Sequence, residues 1–202
     1  MDIFEAILTR HAVKAYQPDF VIPPQDEQKL FELTHHSPTS YNIQNWRFVI
    51  IRDKNLRADI RKAANDQAQV TEASLLIILC ADIKAWEKNP ERYWAHAPQE
   101  TRDFLVPMIG NFYRGHEQLQ RDEAIRSIGI AAQTMMLAAK GMGYDTCPMI
   151  GFDADAVAKL INLPQDHVIG MMMVIGKTAK PVRGNSSFLP QSEVFIDNRF
   201  GE

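Results

Sequence analysis

Apolar residues recur along this 202-residue chain at spacings that are typical of amphipathic helices and of buried strands. Asp2 can cap the first helix, with Glu5 three positions later as in a capping box. The apolar face of that helix is formed by Ile3, Phe4, Ile7 and Leu8. Pro23 and Pro24 open a second helix, and Gly141 ends the most regular one. The pattern predicts helices over residues 2–11, 23–36, 56–64, 121–140 and 153–161.

Short, uninterrupted apolar runs predict strands that are buried on both faces. These runs cover residues 48–51, 75–80, 146–149 and 168–175, and residues 194–196 are predicted to form a last strand. Helices and strands alternate only loosely, so the order favours an α+β domain over a doubly wound sheet. The sequence therefore predicts one domain over residues 1–202, with helices around a central mixed sheet.

Two segments fall outside this periodicity. Residues 84–120 mix aromatic residues with charges and prolines, and they are predicted to be an irregular lid, substrate-binding segment or interface. Residues 177–202 lose helical periodicity after Gly176, and we expect them to form a C-terminal arm that packs on a partner subunit.

Composition and charge restrict the classes of partner. The net charge is −3, and Lys and Arg do not form the basic cluster that binding to a phosphate backbone requires. The longest apolar run, residues 73–81, is shorter than the roughly 20 residues that span a bilayer, and the first residues do not resemble a signal peptide. Cys80 and Cys147 are the only cysteines, which fits a reducing compartment. We therefore expect a cytoplasmic protein that has neither a membrane nor a nucleic-acid partner.

Two short segments carry most of the candidate chemistry. Residues 37–46 combine hydroxyl and amide side chains with a proline and a tryptophan between a predicted helix and a predicted strand. Loops held by rigid elements often carry function, and these groups suit a flat ligand with polar edges. Arg10 and Lys14 are two cations four residues apart on one face of the first predicted helix, and together they can bind one anion. The alternative is structural, because the same residue types are common in turns and at helix ends.

Several motifs, in their order and spacing, resemble those of the FMN-dependent nitroreductase family, whose members use NAD(P)H. They are Arg10-His11-x-x-Lys14, residues 37–46, Gln67 with Glu72-Ala73, Gly141-Met142-Gly143-Tyr144, Pro148-Met149-Ile150-Gly151-Phe152 and Leu189-Pro190-Gln191-Ser192-Glu193-Val194. The resemblance covers nearly the whole chain. It implies a nitroreductase-like α+β fold, with a mostly antiparallel mixed sheet flanked by helices and a C-terminal arm that extends onto the partner subunit.

The resemblance also implies an activity. It predicts a homodimer with FMN at the subunit interface, and hydride transfer from NADH or NADPH through FMN to nitroaromatic, quinone or similar oxidants in a ping-pong cycle. The flavin would carry the chemistry, so neither a catalytic side chain nor a metal is expected. His35 and His36 lack the partners of a metal site. The alternatives are a narrower reaction on the same scaffold, such as dehalogenation or flavin breakdown, and a redox-inactive FMN-binding protein.

The resemblance assigns roles to individual residues. The residues predicted to bind FMN are Arg10, His11, Ala12, Lys14, Pro38, Thr39, Ser40, Asn42, Gln67, Gln69, Met149, Ile150, Gly151 and Arg183. Arg10 would bind the phosphate, Lys14 would lie at the pyrimidine edge of the ring, and residues 38–42 would come from the other subunit. Lys180 is the alternative to Arg183 as a second cation for the phosphate.

Three aromatic residues, Phe104, Phe112 and Tyr113, are predicted to line the substrate side or else to pack between helices. Two positions depart from the family pattern. Many relatives have serine in place of Ala12, and some have glutamate in place of Ile150. These departures remove one hydroxyl contact and any side-chain role for a carboxylate.

Overall fold

A computed structural model describes residues 1–181 and 187–200. Its strands are β1 (Trp46–Ile50), β2 (Leu75–Asp82), β3 (Asp145–Met149) and β4 (His167–Gly176). Its α-helices are α1 (Ile3–Thr9), α2 (Pro24–His35), α3 (Lys54–Ala63), α4 (Gln69–Glu72), α5 (Gln99–Tyr113), α6 (Glu117–Gly141), α7 (Ala154–Leu160) and α8 (Gln191–Val194). Over these residues, no helix is both long enough and apolar enough to cross a bilayer.

The four strands form one sheet in the order β1-β2-β4-β3, and each neighbouring pair is antiparallel. The α+β class is confirmed. A mixed sheet was expected, but within the described residues the only parallel pairing is an isolated bridge between Ala12 and Thr146. The strand predicted at residues 194–196 is wrong. Val194 ends α8, and the Phe195 amide donates to the Gln191 carbonyl at 2.8 Å in a helical turn.

Hydrophobic clusters cover both faces of the sheet. One face packs with α3 and α7, and the other packs with α2 and α6. Strand β2 is buried along its whole length, as its unbroken apolar run predicts. Gly170 in β4 permits the close approach of α6, because a Cβ at this position would lie 2.7 Å from the Ile128 side chain. The sheet is therefore a rigid frame whose two edges, β1 and β3, carry the candidate site residues.

The segment at residues 84–120 is more regular than its sequence predicts. It contains two 3₁₀ turns, Ala85–Glu87 and Pro90–Trp94, followed by the 15-residue helix α5 and the start of α6. Pro107 lies inside α5, and such an interior proline argues against a helix when only the sequence is known. Tertiary packing outweighs this cost, because Ile109 and Tyr113 of α5 are buried in a small core with Ile43 and Trp86.

Two parts of the chain expose large apolar side chains. On α1, the side chains of Ile3, Phe4, Ile7 and Leu8 are 51% to 76% exposed, and only Ala6 is buried. In the C-terminal arm, the exposed apolar residues are Phe188, Leu189, Val194, Phe195, Ile196 and Phe200. Exposed patches of this kind mark interaction sites in proteins that are otherwise well packed.

Arg57 of α3 fixes the turn that leads into β2. Its guanidinium donates to the carbonyl of Val70 at 2.6 Å, to that of Ala73, and to that of Ser74 at 3.4 Å. Burial lowers the pKa of Arg57. We expect Arg57→Met to lower the free energy of unfolding by about 2–3 kcal/mol, because partly buried carbonyls lose their donor. Urea unfolding measures this change, and Lys62→Met on the exposed side of α3 is the control. Equal losses in the two variants would contradict the assignment.

Asp166, which precedes β4, allows a second test, on the pH dependence of stability. Its carboxylate accepts hydrogen bonds from Lys88 and from His167 Nδ1, and these lower its pKa from 3.8 to about 2. A lowered pKa means that the carboxylate stabilises the fold above pH 3.8 and loses this effect as the pH falls through about 2. We expect Asp166→Asn to flatten the decline of the unfolding free energy over this window. Asp155→Asn on α7 is the control, and an unchanged decline in Asp166→Asn would refute the prediction.

Candidate functional site

Arg10 and Lys14, the two cations predicted to bind the flavin, lie beside the edge strand β3. Helix α1 ends at Thr9, and Arg10 follows it in an extended conformation, so Arg10 and Lys14 do not share a helix face as predicted. The Val13 amide donates to the Thr146 carbonyl at 3.0 Å, next to the bridge between Ala12 and Thr146. Burial raises the pKa of the Cys147 thiol in β3, and the positive charges of Lys14 and Arg10 oppose that rise. Both cations are therefore close enough to β3 to act on one of its side chains. His11, between them, is half-buried.

The segment that leads to Lys180 pairs with the residues that follow Lys14. Tyr16 pairs with Thr178 in an antiparallel bridge, and the Ala179 amide donates to the Ala15 carbonyl at 2.9 Å. The chain then turns, because the Thr178 hydroxyl donates to the Lys180 carbonyl at 2.6 Å. Arg183, the cation favoured from the sequence, lies outside the described residues.

The residues that follow β3 form a second part of the site. The side-chain amides of Gln67 and Asn65 both donate to the Gly151 carbonyl, at 3.0 Å and 3.1 Å. Gln69 donates to the Gln67 side chain at 2.9 Å and lies 3.9 Å from the sulfur of Met149. Gly151 is thus held in place by two amides, while the adjacent Ile150 side chain is 79% exposed.

Asn65 is a member of this group that sequence reasoning missed. Asn65 and Asp66 have φ values of 54° and 55°, so the chain leaves α3 through two left-handed residues. Asn and Asp are the residue types that adopt this conformation most readily. The Asn-Asp pair after the predicted helix was the available signal, but its contact with Gly151 spans 86 residues.

The loop at residues 37–46 lies at the other edge of the sheet, before β1. Ser37 has a structural role, because its hydroxyl donates to the Thr34 carbonyl at the end of α2 at 2.6 Å. The Thr39 hydroxyl accepts a hydrogen bond from the Gln44 amide at 2.9 Å, and the Asn42 side chain donates to the Tyr93 carbonyl at 3.2 Å. Pro38 is exposed and Ser40 is half-buried.

One chain does not bring these two groups together. Strands β1 and β3 are separated by β2 and β4, which is about 14 Å across a sheet. Trp46 of β1 lies in register with Val168 of β4, whereas Met149 of β3 lies in register with Met172. This offset of four residues adds about 13 Å along the strands, so the loop lies roughly 20 Å from Met149.

The three predicted substrate residues differ in placement. Phe104 and Phe112 on α5 are 66% and 43% exposed, so they can meet a ligand. Tyr113 is only 1% exposed and packs against Trp86 at 6.2 Å between ring centroids. In this conformation Tyr113 is a core residue and does not line an open surface.

Two other features lie apart from the cations. A groove of about 580 Å³ runs beside β1 between α2 and α6, and its wall includes Phe31, Trp46, Phe48 and Met135. Asp82, Asp166 and His167 offer potential metal-ligand atoms within 4.8 Å of one another. Lys88, however, pairs with both carboxylates, and the Arg47 guanidinium lies 3.7 Å from the Asp82 carboxylate.

Comparison with known proteins gives a consistent result. Residues 7–177 match the Nitroreductase family. Protein DrgA of Synechocystis sp. is 54% identical over 184 residues, which cover 91% of this chain and 88% of DrgA. A candidate NAD(P)H nitroreductase of Bacillus subtilis (strain 168), MhqN, is 34% identical over 87% of this chain and 88% of its own length.

Solved structures agree with this result. A candidate nitroreductase from Exiguobacterium sibiricum, crystallised in complex with FMN, is 28% identical. It superposes with a TM-score of 0.90 and covers 97% of each chain. The resemblance inferred from the motifs is confirmed, and this chain belongs to the nitroreductase family.

Proposed function

We propose that this chain is an NAD(P)H-dependent FMN oxidoreductase that acts as a homodimer on quinones, nitroaromatics or similar oxidants by a ping-pong mechanism. The observation that carries the proposal is the separation of the two predicted flavin-binding groups by roughly 20 Å within one chain. A flavin held at β3 can meet the 37–46 loop only if a second copy supplies that loop.

The residues at β3 fit FMN chemically. Arg10 and Lys14 place positive charge next to β3. Arg10 would bind the phosphate. Met149 lies three positions along β3 from Thr146, which is beside these cations, at a distance of about 10 Å. A ligand with an anionic tail and a polar ring would extend along this edge.

The second part of the site would bind the ring. Gln67 and Asn65 fix the Gly151 carbonyl, so the neighbouring backbone amides have a defined direction. Lys14 would counter negative charge at the ring edge, which favours the reduced state. When bound, FMN would supply the hydride acceptor and donor, and the proton would come from water.

The proposed dimer also accounts for the exposed apolar surfaces. The apolar face of α1 and the C-terminal arm would be buried between two copies, and the groove beside β1 offers an apolar wall for the arm of the second copy. Pro38, Thr39, Ser40 and Asn42 of one copy would then face the flavin bound by the other.

A visible spectrum before and after addition of NADH or NADPH under anaerobic conditions tests the activity. We expect the purified protein to bind FMN and the flavin absorption to bleach with a nicotinamide donor. Binding without bleaching would favour the redox-inactive alternative. If the flavin bleaches but the protein then reduces neither a quinone nor a nitroaromatic, the narrower reaction would be favoured. A protein that does not take up FMN would overturn the proposal.

A further inference from the structure

The backbone of the 37–46 loop has an unusual conformation. Tyr41, Asn42 and Gln44 have φ values of 49°, 55° and 43°. Asn adopts positive φ with little cost, but for a bulky residue such as Tyr it is a true outlier. Such residues persist only where the surroundings hold them, and they concentrate at functional sites. The conformation of Tyr41 therefore calls for a reason beyond the turn itself.

The contacts of Tyr41 show what holds its ring. It packs on Phe112 with centroids 5.6 Å apart and, edge to face, on Tyr113 at 6.3 Å. Tyr113 is buried against Trp86, so the chain of aromatic rings runs from the core of the 84–120 segment outwards to the surface. The left-handed backbone thus directs the side chain of Tyr41 onto α5 instead of leaving it free in solvent.

Neighbouring contacts tie the loop to the same segment. The Asn42 side chain donates to the carbonyl of Tyr93, which lies in the 3₁₀ turn before α5. Within the loop itself, the Thr39 hydroxyl accepts a hydrogen bond from the backbone amide of Gln44. Tyr41 therefore lies between two residues of the predicted flavin-contacting set, Ser40 and Asn42, and it is fixed to the half-exposed Phe112.

We propose that Tyr41 and Phe112 form the aromatic wall of the oxidant subsite, and that Tyr41 sets the preference for flat aromatic oxidants. This inference rests on the proposed function, because residues 38–42 of one copy would border the flavin of the other. Quinones and nitroaromatics have planar, electron-poor rings that stack on an aromatic side chain. An oxidant without a ring, such as ferricyanide, gains nothing from such a wall.

The test compares oxidants within each variant. Tyr41→Asn removes the ring but suits a positive φ, and Tyr41→Phe keeps the ring. With saturating NADH or NADPH, we expect Tyr41→Asn to lower the ratio of kcat/KM for 2-methyl-1,4-naphthoquinone to that for ferricyanide by about 2- to 12-fold, the range of one aromatic pair. Tyr41→Phe should keep the ratio of the wild type.

A purely structural role for Tyr41 would give a different result. The value of kcat/KM would then fall by the same factor for both oxidants, and their ratio would not change. That result would overturn the inference. Phe112→Leu provides a second test if Tyr41→Asn folds poorly, since it keeps apolar volume on α5 and should lower the same ratio. Failure of the proposed function itself is recognised separately, because the wild-type protein would then reduce neither oxidant.

Discussion

Replacing Arg10 with alanine is expected to weaken FMN binding by about 1.5–3 kcal/mol, which is roughly a 10- to 150-fold rise in Kd. A guanidinium binds phosphate oxygens through charge-assisted hydrogen bonds. Arg10 directly follows α1, and its charge, like that of Lys14, acts on Cys147 in β3. Titration of the apoprotein with FMN, followed by the change in flavin fluorescence, measures the effect.

Two further variants sharpen this test. Lys180→Ala should weaken binding less than Arg10→Ala, because an ammonium lacks the two-pronged geometry of a guanidinium. Arg121→Ala on the exposed surface of α6 is the control, and its Kd should match the wild-type value. An unchanged Kd in Arg10→Ala would mean that the phosphate binds elsewhere.

The second large effect is expected from a charge on α1. Leu8 is 76% exposed in the single chain and shares an apolar face with Phe4 and Ile7. If a second copy buries this face, Leu8→Glu places an unpaired carboxylate in the interface and should disrupt the dimer. We expect a monomer in sedimentation velocity and loss of stoichiometric FMN, because each flavin would lack the contacts made by the other chain.

Val21→Glu is the control for this experiment. Val21 is 77% exposed, as fully as Leu8, but it lies in the segment before α2 and outside the α1 face. It should leave both the dimer and the bound flavin intact. A Leu8→Glu protein that stays dimeric, or that binds FMN as a monomer, would show that α1 does not form the proposed interface.

The sequence was sufficient for elements whose pattern is local. The apolar run at residues 75–80 predicts β2, and the Asp2 cap with the residues after it predicts α1. Helix α5 was missed because Pro107 and scattered aromatic residues conceal its periodicity. The short apolar stretch at residues 194–196 resembles a strand, yet a strand needs a hydrogen-bonded neighbour, and none of the described residues provides one.

In the candidate site, too, local motifs could be predicted from the sequence and long-range contacts could not. Separate motifs assigned Gln67 and the pair Met149 and Gly151 to flavin binding, and the structure brings these residues together. Asn65 was missed because its role depends on a contact with Gly151, which lies 86 residues further along the chain. The choice between Lys180 and Arg183 depends on how residues 177–180 pair with residues 14–17, which spacing does not reveal.

The central claim is that each flavin site takes Arg10 from one chain and the 37–46 loop from the other. It can be tested by mixing Arg10→Ala with the double variant Ser40→Ala/Asn42→Gly under conditions that allow subunits to exchange. The FMN concentration is set so that it saturates the wild type but leaves each variant alone unoccupied. In a mixed dimer one site would carry every substitution, while the other would be intact.

Random assortment makes half of the dimers mixed, so the account predicts recovery of about a quarter of the wild-type NAD(P)H–quinone activity. If activity in the exchanged mixture never rises above the mean of the two parent proteins, Arg10 and the loop belong to the same chain's site. The shared-site account would then be contradicted.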